Sequence, residues 1–289
     1  MFIEEELDRY IYWINERERI RVKKEEEGSD PPWTEDEILK EYKFCQVFRN
    51  DDRTSRWYIE NVREPLGYTE DIFMATVIFR WFNLIKTGKT LVKYDLLTDW
   101  DPLIADVQIR KQDQWITGAY VIKSPDGLDK LQGIIRCINY MWGRKDEILE
   151  EAHKHKDSLE GMWNYLRTFP YQGPFMAYEV VTDLSFTMFG KDAKDRLTWA
   201  NAGPGAMRGL NRLIGRPLNY TRKSNDWVGE MRELFEICKE RLPAHIMNSN
   251  RHYFELREVE GGLCEFDKYS RIFKGEGRTR SKYAYDNSV

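Results

Sequence analysis

Cysteine is scarce and scattered in this chain: Cys45, Cys137, Cys238 and Cys264 form no CxxC pair. That spacing excludes a zinc ribbon or a disulfide framework and predicts reduced, mostly buried thiols. Histidine is as rare, and His153 and His155 stand two apart, which on a helix separates them onto different faces. No metal site is therefore expected. Neither GxGxxG nor a GxxxxGK[ST] loop occurs, which removes nucleoside-triphosphate chemistry of the P-loop kind. No fixed-period repeat is present. No apolar run approaches the ~20 residues that span a bilayer. The first residues, MFIEEELDRY, are acidic where a signal peptide is basic and then apolar, so a cytoplasmic protein without a membrane partner is expected.

What is present argues for a folded domain. Over 289 residues, 41% are hydrophobic and ten are tryptophan, enough for a substantial core. The net charge is only −4 but unevenly spread. Residues 1–41 hold fourteen acids and seven bases, whereas residues 196–225 hold six bases and no acid. A second basic run, 268–282, has six bases and one acid. Local basic segments on a mildly acidic chain point to a local anionic partner or to ordinary solvated faces.

Apolar spacing predicts a mainly α protein in a single domain, 1–289, with no linker that divides it. An amphipathic helix covers residues 1–24, and Thr34 opens a second with an acid three residues on. Further helices are expected at RTSRWYIENVREPLG, TEDIFMATVIFRWFNLIKTG and DKLQGIIRCINYMWGRKDEILEEAHK, then at SLEGMWNYLRTF, GPFMAYEVVTDLSFTMFG and NDWVGEMRELFEICKERL. AYVIKSPDG is the one short run with strand character, and the tail beyond residue 242 reads as less regular.

Four blocks carry chemistry. In TWANAGPGAMRGLNRLIGR, a helix ending near Asn201, a turn at Gly203, Pro204 and Gly205, and a new helix from Ala206 are expected. Such a turn exposes successive N–H groups to a phosphate, and Arg208 and Arg212, four apart, share the next helix face. A helix–hairpin–helix DNA-backbone clamp at about 195–216 has this form; so has an ordinary glycine-capped turn. In GPFMAYEVVTDLSF, Glu179 and Asp183 share a face of an apolar helix, either as acid–base groups or as carboxylates paired with arginine. FCQVFRNDDRTSRW interleaves aromatics with Arg49, Asp52 and other charges that suit a paired network or a polar base. VEGGLCEFDKYSR joins Glu265, Asp267 and Lys268 to Tyr269, a set that can stabilise a sugar cation, orient water or supply an amine.

Together PPWTEDEILKEYKFCQVFRNDDRTSRW, GPFMAYEVVTDL, TWANAGPGAMRGLNRLIGR and LCEFDKYSR resemble the α-glutamyl/putrescinyl thymine pyrophosphorylase family, over roughly residues 17–283. Its members are also described as the helical domain of 5-hydroxymethyl-deoxyuridine DNA kinase, or as DNA base hypermodification proteins. The resemblance implies a helical fold related to helix–hairpin–helix DNA glycosylases, gripping double-stranded DNA that carries modified bases. Some phage members exchange an activated group on 5-hydroxymethyluracil for an amino acid or polyamine. Related defence proteins excise bulky modified pyrimidines such as glucosylated 5-hydroxymethylcytosine. The glycosylase aspartate downstream of the hairpin falls here at Asp226 in SNDW, without its flanking motif, and no hairpin lysine for a lyase step is present.

The leading expectation is accordingly a DNA glycosylase that flips and excises a modified 5-hydroxymethylpyrimidine without metal or cofactor. Asp267, Glu265, Asp226 and Lys268 are its catalytic candidates. Gly203, Pro204, Gly205, Arg208 and Arg212 are its DNA contacts. Arg49, Asp52, Phe175, Tyr178, Asp183, Trp199 and Tyr269 are its base-pocket candidates. The alternatives are an amino acid or polyamine transferase that replaces a (pyro)phosphate on 5-hydroxymethyluracil in DNA, and a non-catalytic DNA-binding module.

Overall fold

The computed structural model describes residues 1–221, 226–248, 252–277 and 282–283, the side chain of Asp226 excepted. The chain forms two compact units. The first is discontinuous, residues 1–52 with 197–289, and the second, 53–196, is inserted in its sequence.

The first unit begins with α1 (Glu4–Arg21), whose acidic first turn and basic last turn both complement the helix dipole. The short α2 (Glu37–Glu41) follows, capped by Asp36 rather than Thr34, since the Asp36 carboxylate accepts from the amides of Ile38 and Leu39. In the second unit come α3 (Arg53–Tyr58) and, through a π-turn, α4 (Glu64–Leu66). Then α5 (Asp71–Phe82) buries every residue from Ile72 to Phe82 and forms that unit's centre. Around it stand α6 (Ile85–Lys93), α7 (Pro102–Arg110), α8 (Lys130–Trp142), α9 (Lys145–His155), α10 (Leu159–Leu166) and α11 (Pro174–Leu184).

The chain re-enters the first unit as α12 (Pro204–Ile214), α13 (Asp226–Arg241), α14 (Ala244–Met247) and α15 (Leu256–Phe273). Among the described residues there is no strand, only two isolated bridges, so AYVIKSPDG is irregular rather than extended in a sheet. The mainly α expectation holds. Also among the described residues, no helix is long and apolar enough to cross a membrane.

Two expectations are corrected. No helix ends near Asn201: residues 191–203 run as turns and irregular backbone, and Gly203 is simply the N-cap of α12. This approach is held by other groups, with the Arg232 guanidinium donating to the Thr198 carbonyl at 2.6 Å. The hairpin between two helices is therefore absent, and the second helix starts at Pro204, two residues before the expected Ala206. Conversely, the irregular tail contains the 18-residue α15, closed at its start by a capping box between Glu255 and Glu258.

The glycines of α12 serve packing. A Cβ at Gly205 would be driven into the Cys264 side chain, and one at Gly209 into the Leu263 carbonyl. The backbones of α12 and α15 thus touch where only hydrogen fits. Gly209→Ala is expected to cost about 1–3 kcal/mol through overpacking, against its gain in helix propensity. Gly229→Ala, where nothing lies within 4 Å of the added methyl, is expected to be neutral or stabilising. Urea unfolding of both variants checks this, and equal midpoints would refute the close contact.

Candidate functional site

Three of the four sequence blocks meet in the first unit at α15. Glu265, Cys264 and Lys268 lie within one turn of that helix, and the segment 44–52 packs beside them. Buried Arg17 on α1 fixes this segment by donating to the carbonyls of Cys45 (3.1 Å) and Phe44 (3.3 Å). So held, the Cys45 amide donates to Glu265 Oε2 at 3.1 Å and the Gln46 amide to Asp52 Oδ1 at 3.0 Å. Lys268 donates to the other Glu265 oxygen. At the start of α12, the Gly203 amide donates to Glu260 Oε1 at 3.1 Å.

The electrostatics sort these groups into roles. Burial pushes the Asp52 carboxyl up to about 6, and the nearby Glu265 charge adds to the shift. Burial opposes the charge on Lys268, but Glu265, Cys45 and Cys264 outweigh it and the amine is held more firmly protonated than usual. A free amine nucleophile needs the opposite shift. The Cys45 thiol is raised chiefly by Glu265, and burial pushes Cys264 up to about 12, so neither is a thiolate near neutrality. The cluster therefore offers one carboxyl able to trade a proton near pH 6, one fixed ammonium and a buried carboxylate between them.

The other candidates are placed as follows. Asp267 is buried and engaged through both oxygens, by Arg208 Nε at 2.7 Å and Arg212 Nε at 2.8 Å. Arg212 is itself buried and also donates to Glu276 at 2.7 Å, so it is not offered to solvent; the Arg208 side chain stays 43% exposed. Tyr269 is buried and donates to Asp36 at 2.6 Å, and Trp199 is buried in the same unit. Arg49 opens the 3-10 turn Arg49–Asp51, and Asp52 is its C-cap. Phe175, Tyr178 and Asp183 belong to the second unit. There Asp183 pairs with buried Arg80, Tyr178 is buried, and exposed Phe175 meets the Tyr120 ring edge-on at 4.7 Å. Asp226 opens α13, and its side chain lies outside the described residues. Sequence reading gave Cys45 and Cys264 no part in a site. For Cys264 the signal was its i, i+4 spacing from Lys268 on one helix face; Cys45 had none.

The family model described as "5-hmdU DNA kinase, helical domain" matches residues 4–279. The chain belongs to that family. Among curated proteins, the 5-hmdU DNA kinase of Bacillus phage SP10 is 26% identical over 301 residues, covering 92% of this chain and 45% of that protein. The chain thus spans less than half the length of that relative. No solved structure matches.

These matches correct the leading expectation. The family and the relative are both named for a kinase of 5-hmdU DNA, and a kinase transfers a phosphoryl group without cutting the glycosidic bond. Excision of the base, and with it the glycosylase and hydrolase assignment, is set aside in favour of the transferase alternative.

Proposed function

We propose that this helical domain acts on DNA carrying 5-hydroxymethyluracil, as a transferase at the 5-methylene carbon that replaces a phosphate or pyrophosphate by an amine. The family match over residues 4–279 carries the reading. The chain has no Walker-type loop to hold a nucleotide donor, which favours a step after phosphorylation over phosphorylation itself. In this step the carbon–oxygen bond to the phosphate breaks and its electron pair leaves with oxygen. A carbon–nitrogen bond forms, and the incoming ammonium gives up a proton.

The chemistry of the α15 cluster suits both ends of the exchange. Asp52, with its carboxyl near neutrality, is the base for the ammonium proton. Lys268 is the cation that offsets charge on the departing phosphate, and Glu265 positions it. A second reading, phosphorylation of the hydroxymethyl group, is favoured by the relative's name.

Duplex DNA containing 5-hydroxymethyluracil, bare or phosphorylated, would be incubated with the protein and digested to nucleosides for mass spectrometry. With amines present, an amine adduct from the phosphorylated duplex is expected. A phosphate mass gain on bare DNA with ATP would favour the second reading. No new nucleoside in either arm would refute both. Asp52→Asn is expected to lower the amination rate at least about a hundredfold, at the lower end of what a general base contributes.

A further inference from the structure

We propose that the exposed face of α8 in the second unit is a contact surface for duplex DNA. The inference rests on the reading that DNA is the substrate. From Lys130 to Lys145 the chain carries Lys130, Arg136, Arg144 and Lys145 and no acid. Leu131, Ile134, Ile135, Cys137, Ile138 and Met141 bury one side of the helix. On the other side Gln132, Arg136, Asn139 and Tyr140 form a single exposed stripe that runs on to Arg144.

The composition of this stripe is unlike an ordinary solvated face. Surface helices usually intersperse acids with bases, whereas this one shows arginines, amides and an aromatic. Those types bind phosphates and the edges of bases. The side chains of Gln132, Arg136 and Asn139 make no hydrogen bond or ion pair among the described residues. Arg144 is pre-arranged: its guanidinium lies 3.8 Å from the centre of the Tyr140 ring and donates to the Tyr140 carbonyl at 3.1 Å. The nearest acid before the helix, Asp129, is occupied in capping its first turn and pairing with Arg110. Acids resume at Asp146 on α9, where Glu150 and Glu151 are matched by Lys154.

Other basic helices fit less well. The α12 arginines that the sequence favours are held by Asp267, and Lys86 on α6 is paired with Asp113. A helix of this diameter fits the major groove, with Arg136 and Arg144 at phosphates and the two amides at base edges.

The test is fluorescence anisotropy of a duplex containing 5-hydroxymethyluracil, titrated with the 289-residue chain at several salt concentrations. The Arg136→Glu/Arg144→Glu variant is expected to bind at least tenfold more weakly. Its log affinity should fall less steeply with log salt, by about 1.8 for two lost phosphate contacts. Gln132→Ala/Asn139→Ala is expected to weaken binding several-fold with the wild-type salt slope. Lys89→Glu/Lys93→Glu on α6 makes the same charge change elsewhere and is expected to cost less than about threefold. Circular dichroism of each variant establishes that it is folded. Wild-type binding by the α8 charge variant, or equal losses in the α6 and α8 variants, would overturn the surface while leaving DNA as substrate. Failure of the wild-type protein to bind any duplex would overturn both.

Discussion

Asp267→Ala is expected to destabilise the first unit by about 3–5 kcal/mol, the cost of leaving a buried charge without its partner. Asp267 joins α12 to α15 by accepting from Arg208 and Arg212, and the Asp267 and Arg212 side chains are only 2% and 3% exposed. Without the carboxylate, Arg212 keeps Glu276 but holds its guanidinium in a site shaped for two acids. The Arg208→Ala control removes the exposed arm of the same bridge and should cost less than about 1 kcal/mol. Urea unfolding separates the two. The experiment also decides what Asp267 is for: an Asp267→Ala protein of wild-type stability but without activity would return this residue to the chemistry.

The second large effect is expected in the other unit. Arg80 on α5 and Asp183 on α11 pair with side chains 2% and 3% exposed, and the Arg80 guanidinium lies 5.6 Å from the ring centres of both Tyr58 and Phe79. Asp183→Ala should therefore also cost about 3–5 kcal/mol. A double replacement, Arg80→Met/Asp183→Leu, removes both charges and should recover most of that loss. Thermal and urea unfolding of the three proteins test this. A double variant no more stable than Asp183→Ala would mean that hydrogen bonds beyond the pair hold the helices together.

The helices were legible where periodicity and caps agree. The apolar run of α5 and the Ser158 start of α10 stand in the sequence as they do in the fold. The long helix expected from Asp129 breaks in two at Gly143 and Arg144, where glycine and an arginine that is not helical interrupt it. For α15 the paired glycines 261 and 262 obscured the pattern. The capping box and the buried series Leu256, Val259, Leu263 and Phe266 were there to be read. At Gly203 a helix start was read as a turn: Pro204 and Gly205 lie inside α12, and the helix expected before them is absent. Glycine and proline announce a helix start equally well after irregular backbone.

The site was legible in parts and not as a whole. Asp52, Glu265 and Lys268 all stood among the candidates, yet Cys45 and Glu265 meet across 220 residues of sequence. No local spacing encodes such a meeting. Asp267 and Lys268 are adjacent in sequence, but successive positions on a helix point about 100° apart, and so one is buried between arginines while the other joins the cluster. The family was also legible, through four blocks in order. Those blocks imply the same grip on DNA for excision and for transfer, so they did not separate the two chemistries.

The discontinuous first unit has a consequence for how the protein is made. Tyr10 of α1 meets the Phe266 ring at 5.5 Å and donates to the Val259 carbonyl, 249 positions away, at 3.4 Å. At a synthesis rate of about 5–20 residues per second, α1 leaves the ribosome roughly 10–50 s before α15. In that interval the whole of residues 53–196 emerges, while Tyr10, Trp13 and Ile14 have no helix to cover them. The nascent α1 is thus made well before the helix that covers it, and slowed translation lengthens the time its apolar side stays open to other chains.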